Sequence, residues 1–211
     1  MTMDFETGKD GFWARVRASL GRRANDEPAY GRPAIARTPG RRLRAEPGVD
    51  DALRQGWTLA AQRQVSLCVM ALEIDRHDDY VGAYGRDAAE ECLDTLHGVI
   101  AGLLPHDTDR CLRWGRAGLL LVLPDTPRLM GRELAGRIVG AVRRAGLANK
   151  ESHAGVVTLG MGLAVVNPQG PMDPAILDAA RQALARAGRR GLARLEIADL
   201  RAAGEPRRSV A

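Results

Sequence analysis

Residues 113–124 read Arg113-Trp114-Gly115-Arg116-Ala117-Gly118-Leu119-Leu120-Leu121-Val122-Leu123-Pro124. This is a strand, a tight turn containing glycine, and a second strand that is almost continuously apolar. Strands joined by so short a turn run antiparallel. A strand apolar on both faces needs cover on both sides. The strands are expected at 110–113 and 119–123, inside a layered α/β domain with a mixed sheet.

The remaining pattern fits around this hairpin. Residues 50–64 predict a helix with Asp50 and Asp51 at its dipole-favoured end. Residues 65–75 alternate nowhere and predict a second central strand. A helix over 87–104 places Cys92, Leu93, Leu96, Val99, Ile100 and Leu103 on one side. A helix over 130–145 ends at Gly146. Residues 154–166 predict a strand pair or one long strand, 173–187 a helix and 194–197 a short last strand. Cys68, Cys92 and Cys111 lie in apolar segments at spacings that suit no metal knuckle, so they read as small core residues.

The net charge of +5 is unevenly spread. Residues 1–47 hold 10 Lys+Arg against 6 Asp+Glu, residues 48–200 hold 18 against 19, and residues 201–211 hold 3 against 1. The basic character belongs to the ends and not to the body. Residues 1–47 predict a disordered basic arm, 48–200 the folded domain and 201–211 a basic tail. Within the arm, Phe12, Trp13, Val16 and Leu20 form an apolar stripe among Arg15, Arg17, Arg22 and Arg23. A short amphipathic helix there would meet a membrane surface, a partner groove or the chain's own domain. No apolar run reaches membrane-spanning length and no signal-peptide core is present, so the cytoplasm is the expected compartment. Nucleic acid is not the expected partner, because no base-reading module is recognisable and the body is near neutral.

The hairpin resembles the signature of the GGDEF family, the diguanylate cyclases, which runs R-[YWL]-G-G-[DE]-E-F-x-x-x-L-P. Arg113, Trp114, Gly115, Leu123 and Pro124 keep its frame. Four further motifs fall in order. The family's D-x-D-x-F-K-x-x-N-D-x-x-G-H is similar to the stretch from Glu73 to Arg86, closing on Gly85, and x-x-G-D-x-x-L to that from Asp87 to Leu93. T-x-S-x-G-I-A is matched around Thr158 and Gly162, and A-L-Y-x-A-K-x-x-G-R-N around Ala183 and Gly191. The resemblance spans about residues 50–198 and implies a single nucleotidyl-cyclase-like domain.

What the resemblance implies for chemistry is a depleted site. Active members hold two Mg²⁺ between carboxylates of the first strand and of the hairpin, neutralising GTP phosphates and activating the attacking 3′-hydroxyl. The first carboxylate position is Glu73, a candidate metal ligand or a surface acid. The hairpin motif Gly115, Arg116, Ala117, Gly118, Leu119 has lost both acids. The guanine-reading Asn is Val81, its acidic companion is Glu90, and the phosphate-contacting Lys is Gly188. Glu90, Arg116 and Asp109 remain as vestigial nucleotide contacts, Arg116 as a charged fork for phosphate and Asp109 as the acid of the product-site R-x-x-D whose Arg is His106. Asp75, Asp78 and Asp79 read as acids capping a helix start. Restoring Arg116→Gly, Ala117→Asp, Gly118→Glu and Leu119→Phe is expected to be structurally tolerated.

The implied function is a catalytically inactive GGDEF-like domain, an interaction or nucleotide-sensing module in bacterial cyclic di-GMP signalling, requiring no cofactor. Its partners would be proteins of a signalling or biofilm-type pathway or a second copy in a homodimer. The arm offers a peripheral contact at the inner membrane. Two alternatives stand beside it: a weak diguanylate cyclase using Mg²⁺ and GTP through Glu73, and nucleic-acid or membrane-surface binding through the Arg-rich arm.

Overall fold

The computed structural model describes residues 48–201. The arm at 1–47, with its stripe of Phe12, Trp13, Val16 and Leu20, and the tail beyond Arg201 lie outside the described residues. Five helices and five strands follow in the order α1 (Val49–Arg63), β1 (Leu67–Ile74), α2 (His77–Tyr84), α3 (Arg86–Ala101), β2 (Arg110–Trp114), β3 (Gly118–Pro124), α4 (Arg128–Ala145), β4 (Leu159–Val166), α5 (Ala175–Arg190) and β5 (Leu195–Asp199).

One mixed sheet carries the strands in the order β2-β3-β1-β4-β5. β1 is its centre, antiparallel to β3 and to β4, and β5 joins β4 in parallel. The reason is in the sequence of β1. Cys68, Met70, Leu72 and Ile74 enter one core with residues of α3 and α4, and Leu67, Val69 and Ala71 enter a second core with α1 and α5. A strand apolar at both parities can satisfy both layers at once, and only a central strand has two layers to satisfy.

The helices that shape the site approach the sheet closely. α5 packs on β4 at Gly162, where a β-carbon would sit 2.2 Å from the Leu184 nitrogen and 2.3 Å from the Ala180 carbonyl oxygen. α1 ends on Gln64, which takes the left-handed conformation at φ 55° and donates its N–H to the Ala60 and Ala61 carbonyls. Trp57 of α1 donates its indole N–H to the Gly170 carbonyl at 3.1 Å, holding the 167–171 turn against the helix.

Several expectations need correcting. The sequence reading missed α2, which is eight residues long and buries only Tyr80 of its own length. So short an element shows little apolar period; it is held by Tyr80 and Tyr84 stacking at 4.7 Å and packing beside α3. The stretch 154–166 is neither a strand pair nor one long strand. Its regular part begins at Leu159, and Val156 makes only an isolated bridge with Ala148. Helix α3 stops at Ala101, three residues early, because Gly102 and the turn after it take over the last carbonyls.

Candidate functional site

The end of β1, the start of α2, the tip of the β2–β3 hairpin and the end of α5 meet around an open cleft of about 710 Å³. Glu73, Arg116, Ala117 and Gly188 all line it, so four positions far apart in the chain and singled out from the motifs are brought together. A recess of about 460 Å³ lies beside Glu73, Trp114 and Gly118. Another of about 510 Å³ is lined by Val81, Glu90 and Gly115. Arg116 borders all three spaces. Its side chain is exposed at the hairpin tip and has no ion pair among the described residues.

The hairpin turn is three residues, Gly115, Arg116 and Ala117, between the paired Trp114 and Gly118. Gly115 takes φ +68°, a conformation that side chains resist and that lets the chain reverse here. Ala117 then folds inward and is only 3% exposed, while its carbonyl accepts the Ile74 N–H at 3.0 Å. At Gly118 the strands close up: a β-carbon there would lie 2.4 Å from the Leu72 carbonyl oxygen and 3.1 Å from that of Trp114. Contacts to backbone at such distances require the strands to move. The expected tolerance of Gly118→Glu is therefore corrected. The second acidic position is not simply vacant; the space for its side chain is taken by the neighbouring strand.

Glu73 stands exposed at the end of β1, flanked in register by Gly118 on β3 and Gly160 on β4. Its carboxylate has small neighbours on both sides and points to the cleft mouth. Asp75 has a different task from the helix cap expected of it. Its Oδ2 accepts from the Thr158 hydroxyl at 2.7 Å and from the Ala193 N–H at 2.8 Å, and its own N–H donates to the Thr158 carbonyl at 3.0 Å. One carboxylate thus ties β1 to the entry of β4 and to the turn before β5. Asp78 and Asp79 do occupy the first turn of α2, where the helix dipole favours them. Neither hydrogen-bonds as a cap; Asp79 instead accepts from Arg76 Nε at 2.6 Å.

The remaining candidates are engaged within the domain. Glu90 pairs with Arg113, which also reaches Asp94 at 3.5 Å. Asp109 is buried and lies apart from the cleft lining. Its Oδ2 accepts the His106 backbone N–H at 3.0 Å, closing the 106–109 turn. Burial pushes its carboxyl above the usual carboxylate range, against the pull of the His106 contacts. Among the described residues no three His, Cys, Asp or Glu side chains cluster closely enough to hold a metal ion. With Ala117 and Gly118 in the hairpin, the donor set does not fit a two-Mg²⁺ clamp. Cys68 and Cys92 are buried free thiols. Cys68 donates to the Thr126 carbonyl at 2.9 Å, and burial pushes its pKa up to about 12.

Fold and cleft together place the chain. Residues 43–194 match the family described as diguanylate cyclase, GGDEF domain, and the chain belongs to that family. The coiled coil and GGDEF domain of DgcB from Caulobacter crescentus, solved in complex with c-di-GMP, is similar at TM-score 0.62 and 20% identity over 71% of this chain and 78% of that one. The diguanylate cyclase SiaD from Pseudomonas aeruginosa, solved with its activator SiaC, is similar at TM-score 0.61 and 24% identity over 69% of this chain and 55% of that one. The active GGEEF domain of a diguanylate cyclase from Vibrio cholerae follows at TM-score 0.58 and 22% identity, over 69% of this chain and 90% of that one. No curated protein matches the sequence. No helix among the described residues is long and apolar enough to cross a membrane.

Proposed function

We propose that this GGDEF-family domain does not turn over GTP and serves cyclic di-GMP signalling as an interaction or nucleotide-sensing module. The hairpin tip carries this reading. Turnover by two metals needs an acid from the hairpin opposite the acid of β1. Here the hairpin offers the buried methyl group of Ala117 and a Gly118 closed against the Leu72 carbonyl. The loss is compounded nearby, where Val81 in the neighbouring recess cannot read a base edge and Gly188 in the cleft supplies no cation.

Of the motif positions, the cleft retains Arg116, exposed and without an ion pair among the described residues, and Glu73. A guanidinium at that place suits a phosphate or a partner carboxylate, without need of a metal. Among relatives, SiaD is solved with an activator protein and DgcB with c-di-GMP, which are the two kinds of contact this reading assigns to the domain. Its place of action in this reading is the cytoplasm.

The test is a turnover assay on the full chain with Mg²⁺ and GTP, followed by chromatographic separation of products. No cyclic di-GMP is expected. Product that disappears in Glu73→Ala would establish a working cyclase and overturn the reading.

A further inference from the structure

The surface of α4 differs from that of the other helices in its exposed hydrophobic side chains. The large hydrophobic side chains left exposed among the described residues are Leu129 at 66%, Met130 at 44% and Val139 at 37%, and all three lie on this one helix. The same helix holds Arg128, Arg132, Arg137, Arg143 and Arg144 against the single acid Glu133. Arg128 reaches Asp199 at 3.7 Å and Arg137 donates to the Leu103 carbonyl at 3.2 Å. Arg132, Arg143 and Arg144 have no ion pair among the described residues. Five guanidiniums on one 18-residue helix stand out in a body whose residues outside α4 hold 13 Lys+Arg against 18 Asp+Glu; α5, with four arginines, comes next.

Two of the three glycines of α4 face outward, as Gly82, Gly98 and Gly188 do on other helices. Gly131 faces the core, where a β-carbon would meet Leu163 Cδ2 at 3.0 Å and Cys68 Sγ at 3.3 Å. Gly136 is exposed, and a β-carbon there would touch nothing within 4 Å. At Gly140 it would meet only the mobile end of Arg144. Glycine inside an exposed helix is unfavourable relative to alanine, and the domain's own packing gives no reason for it at these two positions. One turn apart, they form a shallow notch flanked by Val139, Arg132 and Arg143. The notch continues past Val139 and Arg143 into a groove of about 300 Å³ floored by Val142, Val157 and Leu159.

We propose that this face of α4 is a docking surface for an acidic amphipathic helix of a partner protein. Close approach of a helix backbone uses the notch, its apolar stripe covers Leu129 and Val139, and its carboxylates meet the unpaired arginines. Charge decides among occupants. The arm at 1–47 carries four excess positive charges, and the same face of a second copy carries the same five arginines. Both would be repelled. A lipid surface would satisfy the arginines but has no use for a notch one helix wide. The proposal deepens the interaction role given above and rests on it for the existence of a partner.

The test uses the full chain and, as probe, a fluorescent synthetic helix about as long as α4, roughly 27 Å, with leucine and alanine on one face and glutamate on the other. Saturable binding is expected. Gly136→Leu, which has room to fold, and the triple charge reversal Arg132→Glu, Arg143→Glu, Arg144→Glu should each weaken it by about tenfold. The lysine counterpart of the probe should not bind, and thermal melting should show both variants folded. Equal binding by wild type and both variants would overturn the proposal. So would binding to phosphatidylglycerol-containing vesicles that Gly136→Leu leaves intact while the peptide fails to bind, which would assign the face to a membrane. Self-association in sedimentation that Gly136→Leu abolishes would assign it to a second copy and overturn it likewise. GTP turnover in the earlier assay would sink the non-catalytic reading and leave the peptide result untouched.

Discussion

Glycine does opposite work within the sheet and on the outer face of α4. At 118 and 162 the hydrogen side chain is demanded by backbone on the other side, with a β-carbon falling within 2.4 Å of Leu72 in one case and 2.2 Å of Leu184 in the other. At 136 the surrounding space is open. The first pair is explained by the fold alone, because replacing hydrogen by carbon would push strands or helix apart. The second kind is not explained by contacts within the domain, and Gly82, Gly98 and Gly188 on other helices share it. The same residue thus separates positions fixed by internal packing from one that internal packing leaves open.

The largest effect is expected at Gly162. Gly162→Ala forces α5 off β4 and should destabilise the domain by about 3 kcal/mol in urea unfolding. A neutral result would mean that the α5–β4 contact is looser than described. Gly118→Ala should follow at about 2 kcal/mol, since it strikes the Leu72 carbonyl alone at close range. Gly118→Glu, the residue of the family signature, should be worse than Gly118→Ala. If it is tolerated as well as alanine, β1 and β3 can part at this end and the case against a restored hairpin weakens. On the other side of the comparison, Gly136→Ala should stabilise by about 1 kcal/mol. Destabilisation there would show that the position is packed after all and would remove the contrast.

The smallest effect concerns the buried acid of the 106–109 turn. Because the Asp109 pKa is raised in the folded chain above its ordinary value of 3.8, the folded state binds its proton more tightly than the unfolded state. Its contribution to stability is fully present below 3.8 and declines as pH rises through the raised value. Comparing wild type with Asp109→Asn in urea unfolding from acid to neutral pH should show that decline in the wild type and a flatter profile in the variant. Parallel profiles would mean that the carboxyl is better solvated than its burial implies.

Much of the architecture was legible because it rests on local pattern. β1 and β3 declare themselves as central by apolar residues at both parities, and the Gly115 turn fixes β2 as the hairpin partner of β3. The motifs likewise led to Glu73, Arg116, Ala117 and Gly188 as neighbours across one cleft. What escaped was carried by long-range contacts. Asp75 is bound to Thr158 and Ala193, partners remote in the sequence, so local reading left it as a helix cap. Glu90 looked free to accept from a base until Arg113 was found holding it. The closed space at Gly118 is a property of backbone separation, which no residue type announces. α2 escaped for the opposite reason, being too short for a period to show.

The central position of β1 has a consequence during synthesis. It leaves the ribosome before either of the strands that will flank it, and at about 5–20 residues per second the wait for β3 and β4 is a matter of seconds. Helix α1, made first, supplies part of the cover for one face; the other stays apolar and open until α3 follows. During that interval this apolar strand is a ribbon with two unpaired edges, the form in which nascent chains are most apt to stick to one another. The newborn chain is therefore most exposed to sticking early in translation, well before any ligand or partner has a surface to recognise.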